Sequence, residues 1–287
     1  MIREEKSGEL IFMRSDVIPF RHAFTTRYGG VSSGHLSSLN LIDHHGDSAE
    51  NIRENFRRVA EWMGAGVDDC AVTNQVHGNT VRIVGPDDRH VCMSKVPYQA
   101  DGVVTSVPGL PVFCFTADCV PVLLCDPEAG VIGAIHCGWR SSVSDILGNA
   151  VSAMKSLGAE SSEIRAAIGP AIGKCCFETD DDVPDAIMSW LGEDTEELFI
   201  RNPIGHAPGK TLVDLRGANR RRLLQLGLLS AHIDVSEECT FCCHDRYWSH
   251  RYTKGRRGGQ GACIVIPLQG ARKTETASER SGEFIHA

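Results

Sequence analysis

The chain has 287 residues, of which 42% are hydrophobic and 23% charged, with a formal net charge of −8 at pH 7. That length and apolar fraction support one large α/β domain with a sizeable core, and no Pro/Ser/Gly-rich linker divides it. The acidic balance leaves no surplus of cations for nucleic-acid phosphates or anionic lipid, so the expected partner is a small molecule.

Twelve cysteines would imply a disulfide framework in a short secreted chain. The N-terminal MIREEKSGELIFM, however, has no basic-then-apolar leader, and no apolar run reaches membrane-spanning length. A cytoplasmic protein with free thiols and no membrane partner is expected. Cys92, Cys114, Cys125, Cys137 and Cys263 fall in or beside strand-like runs, where a thiol packs as a small hydrophobe. Cys175-Cys176 and Cys242-Cys243 are adjacent pairs rather than Cys-x-x-Cys repeats, which argues against a structural zinc site.

In chain order, Leu10–Met13 and Val17–Phe20 have the pattern of short strands, and the glycine- and serine-rich stretch Arg27–Ser38 that of a loop. Within it Arg27 offers a planar fork of donors for a phosphate or carboxylate, or a solvated cation on a surface turn. Asp47–Glu50 provides N-cap chemistry for a helix over Asn51–Met63, whose Ile52, Phe56, Val59, Ala60 and Met63 recur at helical spacing. Cys70–Val84 reads as strand, Gly turn and strand, a hairpin presenting His77 at its end. Asp101, beside Gly102 at the start of the next strand-like run, is either a turn residue or an acid/base group aimed into a cleft.

The stretch Leu110–Arg140 holds two apolar runs separated by the turn Asp126–Gly130, and a hairpin is expected. Each run places a reactive side chain, Cys119 and His136, among residues that otherwise only pack. With His77 folded across, two imidazoles and a thiolate would form a three-ligand metal site of the catalytic kind. The same residues also permit a Cys119 nucleophile activated by His136, the pairing of cysteine hydrolases. Beyond the hairpin, Ser142–Leu157, Asp180–Leu191 and Arg216–Leu226 have helical spacing, and Ile164–Gly173 reads as a strand and turn. Arg220, Arg221 and Arg222 read as a solvated basic face. The polar stretch from Ala271 has little to bury and is expected to be a disordered tail on a domain of residues 1–270.

In this order, FTTRYGGVS, LNL, NQVHG, ADG, TADCVPVLL, HCGWRS and IGPAIG resemble the multicopper-polyphenol-oxidase-like family, also called laccase-domain or YfiH-type proteins, whose members act as zinc-containing purine nucleoside phosphorylases. The resemblance covers roughly Phe24 to Pro267. It implies a layered α/β (α+β) sandwich with central mixed β-sheets and helices packed outside. It places the family's metal ligands on His77, Cys119 and His136, with zinc as cofactor. It further implies phosphorolysis of adenosine, inosine, guanosine and 5′-methylthioadenosine, and deamination of adenosine, so nucleoside and phosphate are the expected partners of a monomer or weak homo-oligomer. Asp101, Cys119 and Arg140 are then candidate catalytic residues, and Arg27, Asn40, Gln75 and Arg251 candidate substrate or phosphate groups. Arg140 could instead be held in a structural ion pair, and Asp118, beside Cys119, is expected to orient a ligand.

Two features qualify this picture. A multicopper oxidase holds its clustered coppers with His-x-His pairs, and the chain has none; its only close pair is His44-His45. A single N/N/S site could still take copper, so oxidase activity is conceivable. In the C-terminal motif, Tyr247–Tyr252 keeps one arginine, Arg251, where the family has two, and Gln260 stands where another arginine is expected, with Arg256 and Arg257 nearby as substitutes. Such a change could shift the balance between phosphorolysis and deamination, or mark a non-enzymatic partner protein on the same scaffold.

Overall fold

A computed structural model describes residues 1–43, 46–192 and 194–268. Two six-stranded mixed sheets lie face to face. In the first the order is β1 (Ile2–Ser7), β2 (Leu10–Ser15), β3 (Arg21–Thr25), β15 (Gln260–Val265), β7 (Val112–Thr116) and β4 (Ala71–Val72). In the second it is β14 (Ile233–Val235), β10 (Arg165–Ile168), β8 (Val120–Asp126), β9 (Val131–Cys137), β6 (Gly102–Thr105) and β5 (Val81–Ile83). A small third sheet joins β11 (Glu178–Thr179), β13 (Thr211–Val213) and β12 (Phe199–Arg201). The helices are α1 (Ala49–Met63), α2 (Trp139–Val143), α3 (Ile146–Ser156), α4 (Asp182–Leu191), α5 (Leu215–Gln225) and α6 (His250–Thr253).

Every residue of β8 and β9 is buried, because the second sheet is covered on both faces. Side chains alternate across a strand. Leu123 and Cys125 therefore meet Val112, Cys114 and Ile264 of the first sheet. Val122 and Leu124 turn the other way, onto Leu147, Ala150 and Met154 of α3 and Leu223 of α5. The outer face of the first sheet is closed by α1, whose Phe56, Val59, Ala60 and Met63 cover Phe12, Ala23, Phe113 and Cys263. Helix, sheet, sheet and helices form successive layers, as the resemblance implies, and burying one leucine such as Leu123 between them contributes roughly 2 kcal/mol. Cys70, Cys114, Cys125, Cys137 and Cys263 are core filler, and burial pushes their thiols up.

Local chemistry sets the ends of the elements. Ser48 Oγ accepts the Asn51 amide to start α1, and Gly64, at a φ of 87°, ends it. Val17–Phe20 is a turn rather than a strand, since Pro19 has no N–H to give a ladder, and the strand begins at Arg21. The expected helix over 142–157 is broken into α2 and α3 at Ser144 and Asp145, the latter at a φ of 64°. The carboxylate of Asp145 is held there by Arg222 and by Trp190 Nε1. Arg221 pairs with Glu197 and Arg220 donates to Ser230, so the three arginines of α5 serve the fold. Among the described residues no helix is long and apolar enough to cross a membrane. His44-His45 and the tail from Ala271 lie outside the described residues.

The Cys70–Val84 hairpin does not form. β4 joins the first sheet beside β7, and β5 joins the second beside β6, so the chain crosses from one sheet to the other between them. The Leu110–Arg140 hairpin forms only in part. β8 and β9 pair from Val120↔Cys137 to Asp126↔Val131, but β7 lies in the other sheet, and Ala117–Cys119 is a second crossing.

Candidate metal centre

Both crossings deliver a reactive side chain to one seam. His77 lies on the first and Cys119 on the second, while His136 is the penultimate residue of β9. One ligand atom of each lies within 4.8 Å of the others. His77 Nε2 is 3.9 Å from Cys119 Sγ, and the two imidazoles meet edge to face with centroids 4.9 Å apart. His77 is exposed, Cys119 half-buried and His136 buried, so the group opens to solvent on the His77 side.

Asp101 assembles it. Because Gly102 pairs with Ile135, Asp101 stands opposite His136 across the β6–β9 ladder, and its side chain is fully buried. Its carboxylate accepts the amides of Val76, His77 and Gly78 at 3.0, 2.9 and 2.9 Å, which fixes the turn in which His77 adopts a φ of 59°. The same carboxylate accepts His136 Nδ1–H at 2.8 Å, leaving Nε2 to face Cys119. Burial alone would raise the Asp101 pKa, but His136 and the amides more than reverse it, and the carboxylate stays below its usual range. With four donors on it, this group has little capacity for the acid/base role expected of it.

Electrostatics favour a thiolate. Burial pushes the Cys119 thiol up, but the adjacent His136 and the hydrogen bonds of both imidazoles bring it down to about 6. His136 moves the other way, to about 9, because Cys119 and Asp101 outweigh its desolvation. The donor set of two imidazoles and one thiolate suits zinc or copper. The surroundings also leave room for it. A Cβ on Gly138 would lie 2.9 Å from His77 Cδ2, 3.5 Å from Cys119 Sγ and 3.6 Å from His136 Cε1, so only glycine lets the chain pass this close to the three ligands.

The other expected site residues divide sharply. Arg27 stacks at 4.0 Å on the Trp248 ring and gives Nε and Nη2 to Ser37 O and Nη1 to His244 O, which makes it a loop clamp rather than a free anion fork. Asn40 is buried with its amide joined to Ile42, Asp47 and Gly259, so it too closes loops and presents nothing to a substrate. Gln75 hydrogen-bonds both backbone groups of Phe115 and is tied up in the same way. The Asp118 carboxylate accepts Thr240 Oγ1–H and the Arg251 amide, both at 2.6 Å, and thereby fixes the start of α6 beside Cys119. Gln260 accepts the Trp248 amide. Arg140 is exposed and stacks at 4.2 Å on Trp139, with no ion pair among the described residues.

Two arginines and a histidine remain near the triad. Arg251 is exposed, and among the described residues its guanidinium donates only Nη1, to Glu178 O. His250 lies within electrostatic reach of His77, Arg251 and Arg257. Arg257, raised earlier only as a substitute, is the least expected: burial lowers its pKa, Cys119 and Asp118 are the charges that face it, and its buried Nε has no partner. Its Nη1 donates to Gly258 O at 3.1 Å, so the unpartnered Nε is the part of the fork left for an anion. The signal in the sequence was the run Lys254–Arg257 next to a glycine turn, but only the fold reveals which cation points inward. One further group of metal-capable side chains exists among the described residues, Cys175, Cys176, Cys239 and Cys242. Its signal in the sequence is the spacing of Cys239 and Cys242, three apart, which the adjacent pairs Cys175-Cys176 and Cys242-Cys243 mask.

The sequence profile described as "Multi-copper polyphenol oxidoreductase laccase" matches residues 21–267. The protein named purine nucleoside phosphorylase YlmD from Geobacillus stearothermophilus is 36% identical over 262 residues, covering 88% of this chain and 93% of that protein. A protein named adenosine deaminase RL5, from an unknown prokaryotic organism, is 34% identical over 80% of this chain and 87% of its own. The crystal structure of Geobacillus YlmD superposes with a TM-score of 0.85 at 32% identity, covering 92% of this chain and 98% of that one.

Proposed function

This chain belongs to the multi-copper polyphenol oxidoreductase laccase family, and from that premise we propose that it is a zinc-dependent purine nucleoside phosphorylase that also deaminates adenosine. Adenosine, inosine, guanosine and 5′-methylthioadenosine are the proposed nucleosides, with phosphate as co-substrate. The observation that carries the proposal is the half-buried Arg257, whose buried Nε has no partner and which faces the His77/Cys119/His136 triad, a cation able to receive an anion beside a metal-capable centre. His77, Cys119 and His136 would hold the metal, which when bound would supply Lewis-acid polarisation. Asp101 would keep His136 in the tautomer that presents Nε2, and would keep the His77 turn closed. Arg257, with His250 and Arg251, would bind phosphate and orient it toward C1′ of the ribose, where a new C–O bond replaces the bond to the purine. Arg140, in no ion pair among the described residues, is the further cation available to substrate. The twelve cysteines, none in a disulfide, suit a reducing compartment, and a cytoplasmic location is proposed accordingly.

Incubating the zinc-loaded protein with adenosine, with and without phosphate, tests this. Adenine and ribose 1-phosphate should form only with phosphate, and inosine in both conditions; absence of all three at high enzyme concentration would refute the proposal. A second reading has its own observation: Asp101, His136 and Cys119 form a hydrogen-bonded line with a low thiol pKa, the arrangement of a cysteine hydrolase. It predicts activity that survives chelation and His77→Ala but not alkylation of Cys119. The phosphorylase reading predicts loss in all three cases. Copper in place of zinc would be seen by elemental analysis of the purified protein. The donor sets argue against a multicopper cluster, since neither group of metal-capable residues among those described contains more than two histidines.

A further inference from the structure

We infer that Cys175, Cys176, Cys239 and Cys242 form a second, structural metal site, occupied by zinc and independent of the triad. The four sulfurs come from two loops 63 residues apart and lie within 4.8 Å of one another. Cys242 Sγ is 3.7 Å from Cys175 Sγ and 3.4 Å from Cys176 Sγ. Four thiolates at the corners of a tetrahedron around zinc would stand about 3.8 Å apart, whereas a disulfide needs about 2 Å. Cys242 approaches two thiols at once, which a disulfide cannot use.

The backbone around Cys239 gives an independent indication. Its sulfur accepts the Gly173 amide at 3.1 Å and also the amides of Phe241 and Cys242. Three N–H groups converging on one sulfur, two of them from the turn of a Cys-x-x-Cys sequence, stabilise a thiolate rather than a packed thiol. The other half of the site is equally constrained, since the amides of Cys176 and Phe177 both bond to Gly173 O, and this turn presents two adjacent cysteines to the same point. Four sulfur ligands complete a tetrahedral shell, which is the closed, structural arrangement and selects soft ions over magnesium or calcium.

The position explains what the metal would do. The Cys175-Cys176 loop follows β10, and the Cys239–Cys242 loop follows β14. Both touch the residue before the ligand Cys119: Ile172 N–H donates to Asp118 O, and Thr240 Oγ1–H to its carboxylate. A zinc ion joining the two loops would hold Asp118 from both sides, and through it the crossing that carries Cys119 and the start of α6.

Protein from zinc-supplemented culture, freed of loosely bound metal by gel filtration, can be assayed for zinc and iron by plasma mass spectrometry. The expected result is two zinc equivalents per chain in the unaltered protein and one in the Cys175→Ser/Cys242→Ser double variant, whose exchanged thiols are exposed. His77→Ala should also hold one. With cobalt in place of zinc, sulfur-to-cobalt absorption should be several times more intense in the unaltered protein and in His77→Ala, where four thiolates bind, than in the double serine variant, which keeps Cys119 alone as a thiolate ligand. Equal zinc in the unaltered protein and the double variant would overturn the inference. So would a disulfide among these cysteines in protein that, once reduced, takes up no zinc. Iron at the four thiols would overturn the assignment to zinc. One equivalent that survives His77→Ala but not the double exchange would support this site while refuting the metal at the triad.

Discussion

Four hydrogen bonds end on the Asp101 carboxylate, and two of the three ligands depend on them. Asp101→Asn keeps the size of the group but puts an NH2 where an acceptor was, so amides of the His77 turn lose their partner and His136 is free to change tautomer. Its affinity for zinc, measured by competition with a chromogenic chelator, should fall ten- to a hundredfold, the usual cost of losing such a partner. Arg257→Gln tests the anion receptor: KM for phosphate should rise at least tenfold in steady-state phosphorolysis while KM for the nucleoside changes much less. At this scale the sequence was readable for ligands and poorly readable for arginines. His77, Cys119 and His136 stood out because reactive side chains interrupted packing patterns. Whether a guanidinium is free depends on carbonyls far away in the chain: Arg27 is engaged by His244 O, 217 residues on, and no local pattern reports that.

At the junction of β9 and α2, Gly138 has a φ of −64°, which any residue adopts, so its importance is steric. Gly138→Ala should fold with a melting temperature within a few degrees of the unaltered protein, yet push the His77 ring aside and lower zinc affinity and phosphorolysis at least tenfold. Similar stability with unimpaired zinc binding would show that the ring yields without effect. For α1, Ser48→Ala removes the oxygen that accepts the Asn51 amide and should cost about 1 kcal/mol in urea denaturation. The elements that were legible, α1 and the β8–β9 hairpin, combine strong burial with one clean period. Those that were not had conflicting signals. β1 is mostly polar because it is an exposed edge strand. The break between α2 and α3 was invisible because apolar spacing continues through it, and what stops the helix is Arg222 reaching Asp145 from α5. The Cys70–Val84 hairpin failed because its two halves are apolar for different sheets.

For the molecule as a whole, His22 makes stability depend on pH. It is buried in β3 with Nε2 accepting the Ser15 amide and Nδ1–H donating to Phe20 O, both at 2.8 Å, a pattern that only the neutral ring satisfies. Desolvation lowers its pKa to about 4, from 6.5. The unfolded chain therefore binds a proton in this interval that the folded one refuses, and stability must fall as pH drops from about 6.5 toward 4. Up to about 3 kcal/mol is at stake. His22→Gln, less stable overall at neutral pH, should show a shallower decline than the unaltered protein over that window in denaturant titrations; parallel curves would show that His22 does not contribute. The layered architecture was legible from the resemblance, but the seam was not, because it requires knowing that the chain changes sheets twice. That seam has a kinetic consequence. Two of the three ligands lie on chain segments that cross between the sheets, so a refolding chain assembles the three-ligand centre only once both crossings are made. Metal capture there would then be a late event, and in the Cys175→Ser/Cys242→Ser variant a cobalt spectrum would act as a clock for sheet docking, lagging behind any signal that reports strand formation alone.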